Sequence, residues 1–394
     1  MMMTTAETHA LLSDARRRMT ARDAAIVRVQ VAVSEIAAPT GEEQRRAAWI
    51  ARRFTALGLS DIRSDAAGNV IGRRRGVRAL PAVAVCAHLD TVFPRGTAVR
   101  VRQDGELLLG PGIGDNGRGL AAMLALAEEI DGVRLKMDRP IDFVATTGEE
   151  GTGDLRGAKA FFRSREDVAS AIALDGAGDE RIVHRGLGSR RYRIVYRGPG
   201  GHSWAAFGVV NPVHAAGTAI AKLASIIVPR EPRTTLSVGR VGGGIAVNAI
   251  ADEAWLEVDL RSTTVRMLDR YEREVRLAVR AAEIEENARR ATGSPPLSCA
   301  VELIGDRPCG DVPADHPLVL SAVDATRLIG REPELSTAST DANVPISLGV
   351  PAIAIGAGGR GGDAHTPSEW FDNTSGTIGL ARALTIVVAA AGLV

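Results

Sequence analysis

The chain has 394 residues, 45% hydrophobic and 24% charged, with a formal net charge of +1. That length exceeds one ordinary core and implies two domains. The even charge balance excludes a global field drawing the chain to nucleic acid or an anionic membrane, and the Arg bias (all basic residues but Lys136, Lys159 and Lys222) reads as solvated surface charge.

In chain order, residues 1–35 read as helical, with acids and arginines but no apolar core of a secretory signal. Thr40 and Glu43 have capping-box spacing before a helix carrying Ala47, Ile50, Phe54 and Leu57, stopped near Gly58. Residues 81–87 form a short apolar run typical of a buried strand. A helix is expected over 119–130, and strands over 141–146 and 171–174. Such alternation predicts an α/β layer with a mainly parallel sheet. Near residue 188 the pattern changes. Strands are expected at 191–196, 235–241, 254–260 and 297–304, helices at 211–226 and 264–290, with antiparallel pairing. After Pro308 the α/β pattern returns with helix 317–329, strand 350–356 and helix 375–392. The expected architecture is a discontinuous α/β catalytic domain (1–187 and 306–394) with an inserted α+β domain at 188–305. No stretch is apolar and long enough to span a bilayer, and the cytoplasm is the expected location. Cys86, Cys299 and Cys309 are widely spaced and suggest neither a disulfide framework nor a thiolate metal site.

The chemistry-bearing residues of the α/β part are His88 with Asp90, Asp115, Glu149 with Glu150, Asp175 and His365. Four of these groups follow expected strands, and Asp115 sits in a Gly-rich turn ahead of a helix. Ligands of open α/β sheets bind at the carboxyl ends of strands, so the fold should gather them at one edge. Imidazole and carboxylate bind zinc without thiolates. Two ions need one bridging carboxylate plus terminal ligands for each. Asp90, on the same side of an extended segment as His88, is placed to orient the imidazole. The Glu149–Glu150 pair offers a spare carboxylate as a base. His9, His184, His214 and His316 lack such neighbours and read as structural.

The segments Ala87-His88-Leu89-Asp90-Thr91, Gly114-Asp115-Asn116, Thr147-Gly148-Glu149-Glu150-Gly151, Leu174-Asp175-Gly176 and Ala364-His365-Thr366-Pro367 resemble, in order, the motifs of the zinc exopeptidase and amidohydrolase family. That family includes peptidase T, carboxypeptidase G, aminoacylase and succinyl-diaminopimelate desuccinylase. The resemblance spans nearly the whole chain. It implies that His88 and Asp175 bind one zinc, Glu150 and His365 the other, and that Asp115 bridges them. It also implies Glu149 as general base, Asp90 as the residue orienting His88, and a cis peptide at Asp115–Asn116. The inserted domain resembles the family's lid and dimerisation domain. Gly200-Gly201-His202-Ser203-Trp204 is similar to the motif whose His reaches the partner subunit's site and stabilises the oxyanion. Asn248, in Ala246-Val247-Asn248-Ala249-Ile250, and Arg261, in Asp259-Leu260-Arg261-Ser262, match substrate-contacting positions. Ser339-Thr340-Asp341-Ala342-Asn343 departs from most relatives and looks nearest the peptidase T-like branch.

The expected activity is therefore hydrolysis of an amide bond in a small peptide or N-acyl amino acid by water activated on two zinc ions, replaceable by cobalt or manganese, in a homodimer. The alternatives are an amidohydrolase acting on N-carbamoyl or ureido compounds, and a non-catalytic metal-binding relative. Gly112-x-Gly114-x-x-Gly117 fits a dinucleotide fingerprint only weakly, because Asp115 inside the turn would repel a pyrophosphate. The segment around Ser203 lacks the final Gly of a nucleophile elbow.

Overall fold

The computed structural model describes residues 5–132 and 135–394 and, among these, all side chains but those of residues 5–9, 11, 12 and 132. The side chain of His9 and the first four residues of the 1–35 helical reading lie outside that description. The rest of this reading divides into two helices, Thr5–Ala21 and Asp23–Ser34.

The chain forms two compact units, one of Met1–Gly186 with Asp311–Val394, the other of Leu187–Gly310. In the first, a sheet runs in the order Ser60–Ser64, Val70–Arg74, Ile141–Thr146, Ala82–His88, Val168–Leu174, Ala352–Ile355, Arg181–Gly186, and Glu334–Ala338 pairs with the last of these. Pairing is parallel through the centre, from Ile141–Thr146 across to Ala352–Ile355, and antiparallel at Val70–Arg74 and at Arg181–Gly186 against Ala352–Ile355. The central strands are uniformly buried, as their continuous apolar sequences demand when both faces are covered. Helices Gly117–Gly132 and Gly376–Ala391 pack on Ala82–His88. Each fully buried Ile, Leu or Phe in this core contributes about 1.5–3 kcal/mol.

The second unit has an antiparallel sheet in the order Thr234–Gly243, Glu253–Ser262, Gly188–Arg197, Ser298–Arg307. In Glu253–Ser262, Ala254, Leu256, Val258 and Leu260 alternate inward, the period of two expected of a half-covered strand. The first three share a core with Val275 and Val279 of helix Val265–Ala288 and with Ala215 and Ala219 of helix Pro212–Ala224, while Leu260 packs with Met267, Leu268 and Tyr271.

One local expectation differs from the structure, and several strands lie outside the expected elements, Ser60–Ser64, Val70–Arg74, Arg181–Gly186 and Glu334–Ala338 among them. Thr40 and Glu43 form no capping box, since the helix Gln44–Ala56 has no side-chain cap and both residues turn their side chains elsewhere. An unread sheet of three-residue strands, Arg102–Asp104, Leu107–Leu109, Trp370–Asp372 and Arg360–Gly362, lies beside the site. Strands this short carry no periodic signal. Among the described residues, no helix is long and apolar enough to cross a membrane.

Candidate active site

The carboxyl ends of the central strands carry the site. His88 ends Ala82–His88, Asp175 follows Val168–Leu174, and Glu149 lies three residues beyond Ile141–Thr146. His88 Nδ1 is 3.0 Å from the Asp90 carbonyl oxygen and 3.6 Å from its carboxylate. The Asp90 main chain makes the shorter contact, and the Asp90 carboxylate faces the same ring nitrogen, so both face the imidazole that Asp90 is expected to orient. The Asp90 carboxylate is also committed to the turn before the helix Arg156–Arg163. It accepts the backbone N–H groups of Glu149 at 2.9 Å and Glu150 at 3.0 Å, and the Thr40 hydroxyl at 2.8 Å.

Asp115 lies in the loop between Leu107–Leu109 and helix Gly117–Gly132, and its bond to Asn116 is cis. Glu369, almost fully buried, grips this loop from a distant stretch of sequence. Its carboxylate accepts the N–H groups of Gly112, Gly114 and Asp115, each at 2.8 Å. Pairing of Leu107–Leu109 with Trp370–Asp372 brings the two segments together. Buried Asn116 joins the loop to the next strand end. Its amide donates to the Leu174 carbonyl at 2.9 Å, while its oxygen accepts from Gly119 and Gly176 at 3.1 Å each. His365 adopts φ 67°, a left-handed conformation that a non-glycine residue holds only where its surroundings enforce it.

Two groups of three ligand atoms, each group within 4.8 Å, share Asp115: His88, Asp115, Asp175 and Asp115, Glu150, His365. One Asp115 oxygen is 2.9 Å from His88 Nε2, the other 3.2 Å from His365 Nε2, and His365 Nε2 is 2.9 Å from Glu150. Glu149 forms a third group with His88 and Glu150. This all-nitrogen-and-oxygen donor set, with a carboxylate shared between two clusters, fits a pair of divalent cations.

Electrostatics follow from this crowding. Burial opposes a charged His88, yet Asp115 beside it holds its pKa well above the ordinary value. Asp115, penalised by burial, is nonetheless held far below the usual carboxylate range by His365 and His88. Burial, then Asp115, pushes Glu150 up to about 7. Asp115 raises His365 to about 9. Buried Asp341 accepts the hydroxyl of Thr146, which lies opposite His88 in the sheet register, and burial lifts its pKa to about 6. The segment Ser339–Asn343 thus enters the structure as a mostly buried turn beneath the strand ends.

The remaining assigned residues belong to the second unit. Gly201–His202 pairs with Ala249–Ile250, and Ser203 N–H donates to the Asn248 carbonyl, so His202 and Asn248 are neighbours, both exposed. The Trp204 N–H donates to His202 Nδ1 at 3.2 Å. Arg261 is at the other end of this unit, opposite Ser189 in the register, and donates to Asp259 at 2.6 Å. Of the histidines read as structural, His184 faces the Val312 carbonyl at 2.6 Å, His316 accepts the Leu318 N–H at the start of Pro317–Leu328, and His214 is exposed on a helix.

Glu369, Asn116 and Asp341 were not singled out by sequence reasoning. The available signal was position: Asn116 and Asp341 lie inside quoted segments, and Glu369 lies just beyond the His365 motif, four residues after His365.

The profile of peptidase family M20/M25/M40 matches residues 84–389. Protein YqjE of Bacillus subtilis strain 168, itself uncharacterised, is 27% identical over 357 residues, 85% of this chain and 90% of that one. An N-carbamoyl-L-amino acid amidohydrolase of Geobacillus stearothermophilus is 24% identical over 396 residues, 86% of this chain and 89% of its own. A Staphylococcus aureus tripeptidase structure has the same fold, with a TM-score of 0.76 at 24% identity over 93% of this chain and 98% of that one.

Proposed function

The chain belongs to peptidase family M20/M25/M40, a family of hydrolytic enzymes, and from that premise we propose that it hydrolyses an amide bond in a small peptide or N-acyl amino acid with two zinc ions. The observation that carries this reading is the double use of Asp115, whose two oxygens face His88 and His365 separately, as a carboxylate bridging two ions requires. His88 and Asp175 would hold one ion, Glu150 and His365 the other. When bound, the ions supply the Lewis-acid charge that makes water nucleophilic near neutral pH. Cobalt and manganese suit the same nitrogen and oxygen donors.

Glu149, nearly buried beside His88 and Glu150, accepts the proton of the attacking water and returns it to the leaving amine. Arg261 holds the substrate carboxylate with paired N–H donors, and Asn248 adds an amide contact. His202 donates to the developing oxyanion. With Nδ1 accepting the Trp204 N–H, a neutral ring carries its proton on Nε2, ready to donate.

A homodimer with shared sites is part of this reading. Arg261 lies where the second unit leaves and rejoins the rest of the chain, close in register to Ser189 and Arg307. His202 and Asn248 lie beyond the far end of the same strand, past Glu253, roughly 26 Å away at about 3.3 Å per residue. The two ends of the strand are thus far apart within the second unit, and the reading gives His202 to the partner's site, as the family resemblance implies.

A second reading, hydrolysis of N-carbamoyl amino acids, is favoured by the similarity to the Geobacillus stearothermophilus amidohydrolase. The attack on a carbonyl is the same, and the leaving group differs. A non-catalytic role would call for a missing base or ligand, and Glu149 and all five ligands are in the sequence.

The test pairs a substrate panel with two variants. Di- and tripeptides, N-acyl and N-carbamoyl amino acids are ranked by kcat/KM, before and after exhaustive chelation. Glu149→Gln should lower kcat roughly 10²–10⁴-fold with metal content intact, and Glu150→Gln should lose metal. Full turnover after verified metal removal would sink the reading. Loss of metal with Glu149→Gln instead would exchange the two roles.

A further inference from the structure

Thr40 and Glu43 cap no helix, yet both side chains are engaged. Glu43 is 2% exposed, and its Oε1 accepts the N–H of Gly41 at 2.9 Å, the N–H of Gly148 at 3.1 Å and an N–H of the Arg156 guanidinium at 3.0 Å. Thr40 donates to Asp90, the carboxylate that accepts Glu149 N–H and Glu150 N–H. Three consecutive amides, those of Gly148, Glu149 and Glu150, therefore each end on a carboxylate.

We propose that Thr40 and Glu43 are positioning residues for the turn that carries the base Glu149 and the ligand Glu150, a proposal that rests on the function assigned above to Glu149. Glu43 acts on one side of the turn and Thr40, through Asp90, on the other. The 38–40 segment is itself anchored beside the His88–Thr91 segment, with Thr91 N–H on the Ala38 carbonyl at 2.9 Å and Thr40 N–H on the Thr91 carbonyl at 3.3 Å. Arg156 closes the turn over Gly148, where φ is 61°. A Cβ there would stand 3.1 Å from the guanidinium carbon, and the main-chain N–H of Arg156 donates to the Gly148 carbonyl at 3.2 Å. Hydrogen bonds from amides to carboxylates are shorter and stronger than neutral ones. A base must stay within hydrogen-bond reach of the proton it takes, and a displacement of about 1 Å can cost about 10²-fold in rate. A purely structural role for Glu43 would lower stability without changing turnover per folded, metal-loaded molecule.

The experiment compares Glu43→Ala, Glu43→Gln and Thr40→Val, each zinc-loaded and assayed for zinc content, with hydrogen exchange followed in the metal-free proteins. Glu43→Ala should keep its zinc, lose roughly 10–100-fold in kcat with KM little changed, and exchange faster across residues 147–151. Glu43→Gln retains an acceptor oxygen for Gly148 and should recover most of that kcat. Thr40→Val should accelerate exchange at Glu150 and lower kcat several-fold. Wild-type kcat in folded, zinc-loaded Glu43→Ala together with unchanged exchange in its metal-free form overturns the proposal. Should that variant fail to fold, Thr40→Val with wild-type exchange and kcat overturns it equally. Glu149→Gln is run in parallel. Wild-type turnover in that variant removes the base, whereas the exchange data still decide whether Thr40 and Glu43 hold the turn.

Discussion

Asp115 faces two imidazoles, and its carboxylate is what makes both of them basic. His365 is raised to about 9 by Asp115, with Glu150 adding to the effect, while burial and Asp115 push Glu150 up to about 7. The signs combine. A His whose folded pKa exceeds its unfolded value of about 6.5 stabilises the metal-free fold fully below that value and loses the contribution as pH rises through about 9. A Glu with a raised pKa costs stability as pH climbs from about 4.5 through 7. Both effects weaken the metal-free protein as pH rises. Bound cations require neutral imidazole and ionised carboxylate, so their stabilisation grows over the same range. The gap in Tm between zinc-loaded and chelated protein should widen from about pH 6 to about pH 9. Differential scanning fluorimetry at fixed zinc reads it directly, and a gap that narrows with pH contradicts the arrangement.

Between elements, single buried side chains do the joining. Asn116 ties the start of helix Gly117–Gly132 to the end of Val168–Leu174 through three hydrogen bonds. Asn116→Ala leaves the Leu174 carbonyl and two amides without their partner, at about 1–3 kcal/mol for each buried group left unsatisfied. Urea denaturation of the chelated protein should show a loss of roughly 3–4 kcal/mol, the low end of that sum, because part-buried Gly176 regains water. Less than about 0.5 kcal/mol, the scale of an ordinary surface substitution, would mean that the three bonds are replaced by water. The elements themselves were legible where apolar residues run together, as in Ala82–His88 and Ile141–Thr146, or alternate, as in Glu253–Ser262. They were illegible in the three-residue strands flanking the Asp115 and His365 loops, whose pairing depends on a partner far along the chain. The Thr40–Glu43 spacing was misread for a related reason. A capping residue and a long-range clamp have the same local sequence, and only the position of Gly148 and Asp90 separates them.

For the molecule as a whole, the proposed exchange of His202 between subunits makes a strong prediction. His202→Ala and Glu149→Ala should each be nearly inactive, since an oxyanion donor is typically worth about 3–4 kcal/mol in the transition state. After dissociation and reassociation of the two together, a mixed dimer holds one site with both residues intact and one with neither. Activity should return toward a fraction of wild type as subunits exchange. If mass spectrometry shows exchange and no activity returns, His202 does not act in trans. By itself the sequence determined the α/β class with its mainly parallel sheet, because continuous apolar runs can be buried on both faces only in such a layer. It also put His88, Glu149 and Asp175 just past those runs, where open sheets bind ligands. Only the tertiary structure decided what holds these residues: Glu369 on the Asp115 loop, Asn116 on the Asp175 strand, and Asp90 and Glu43 on the Glu149 turn. Periodicity records which face of an element is apolar, whereas a buried carboxylate finds its amide donors by proximity in space, and that pairing leaves no local pattern in the chain.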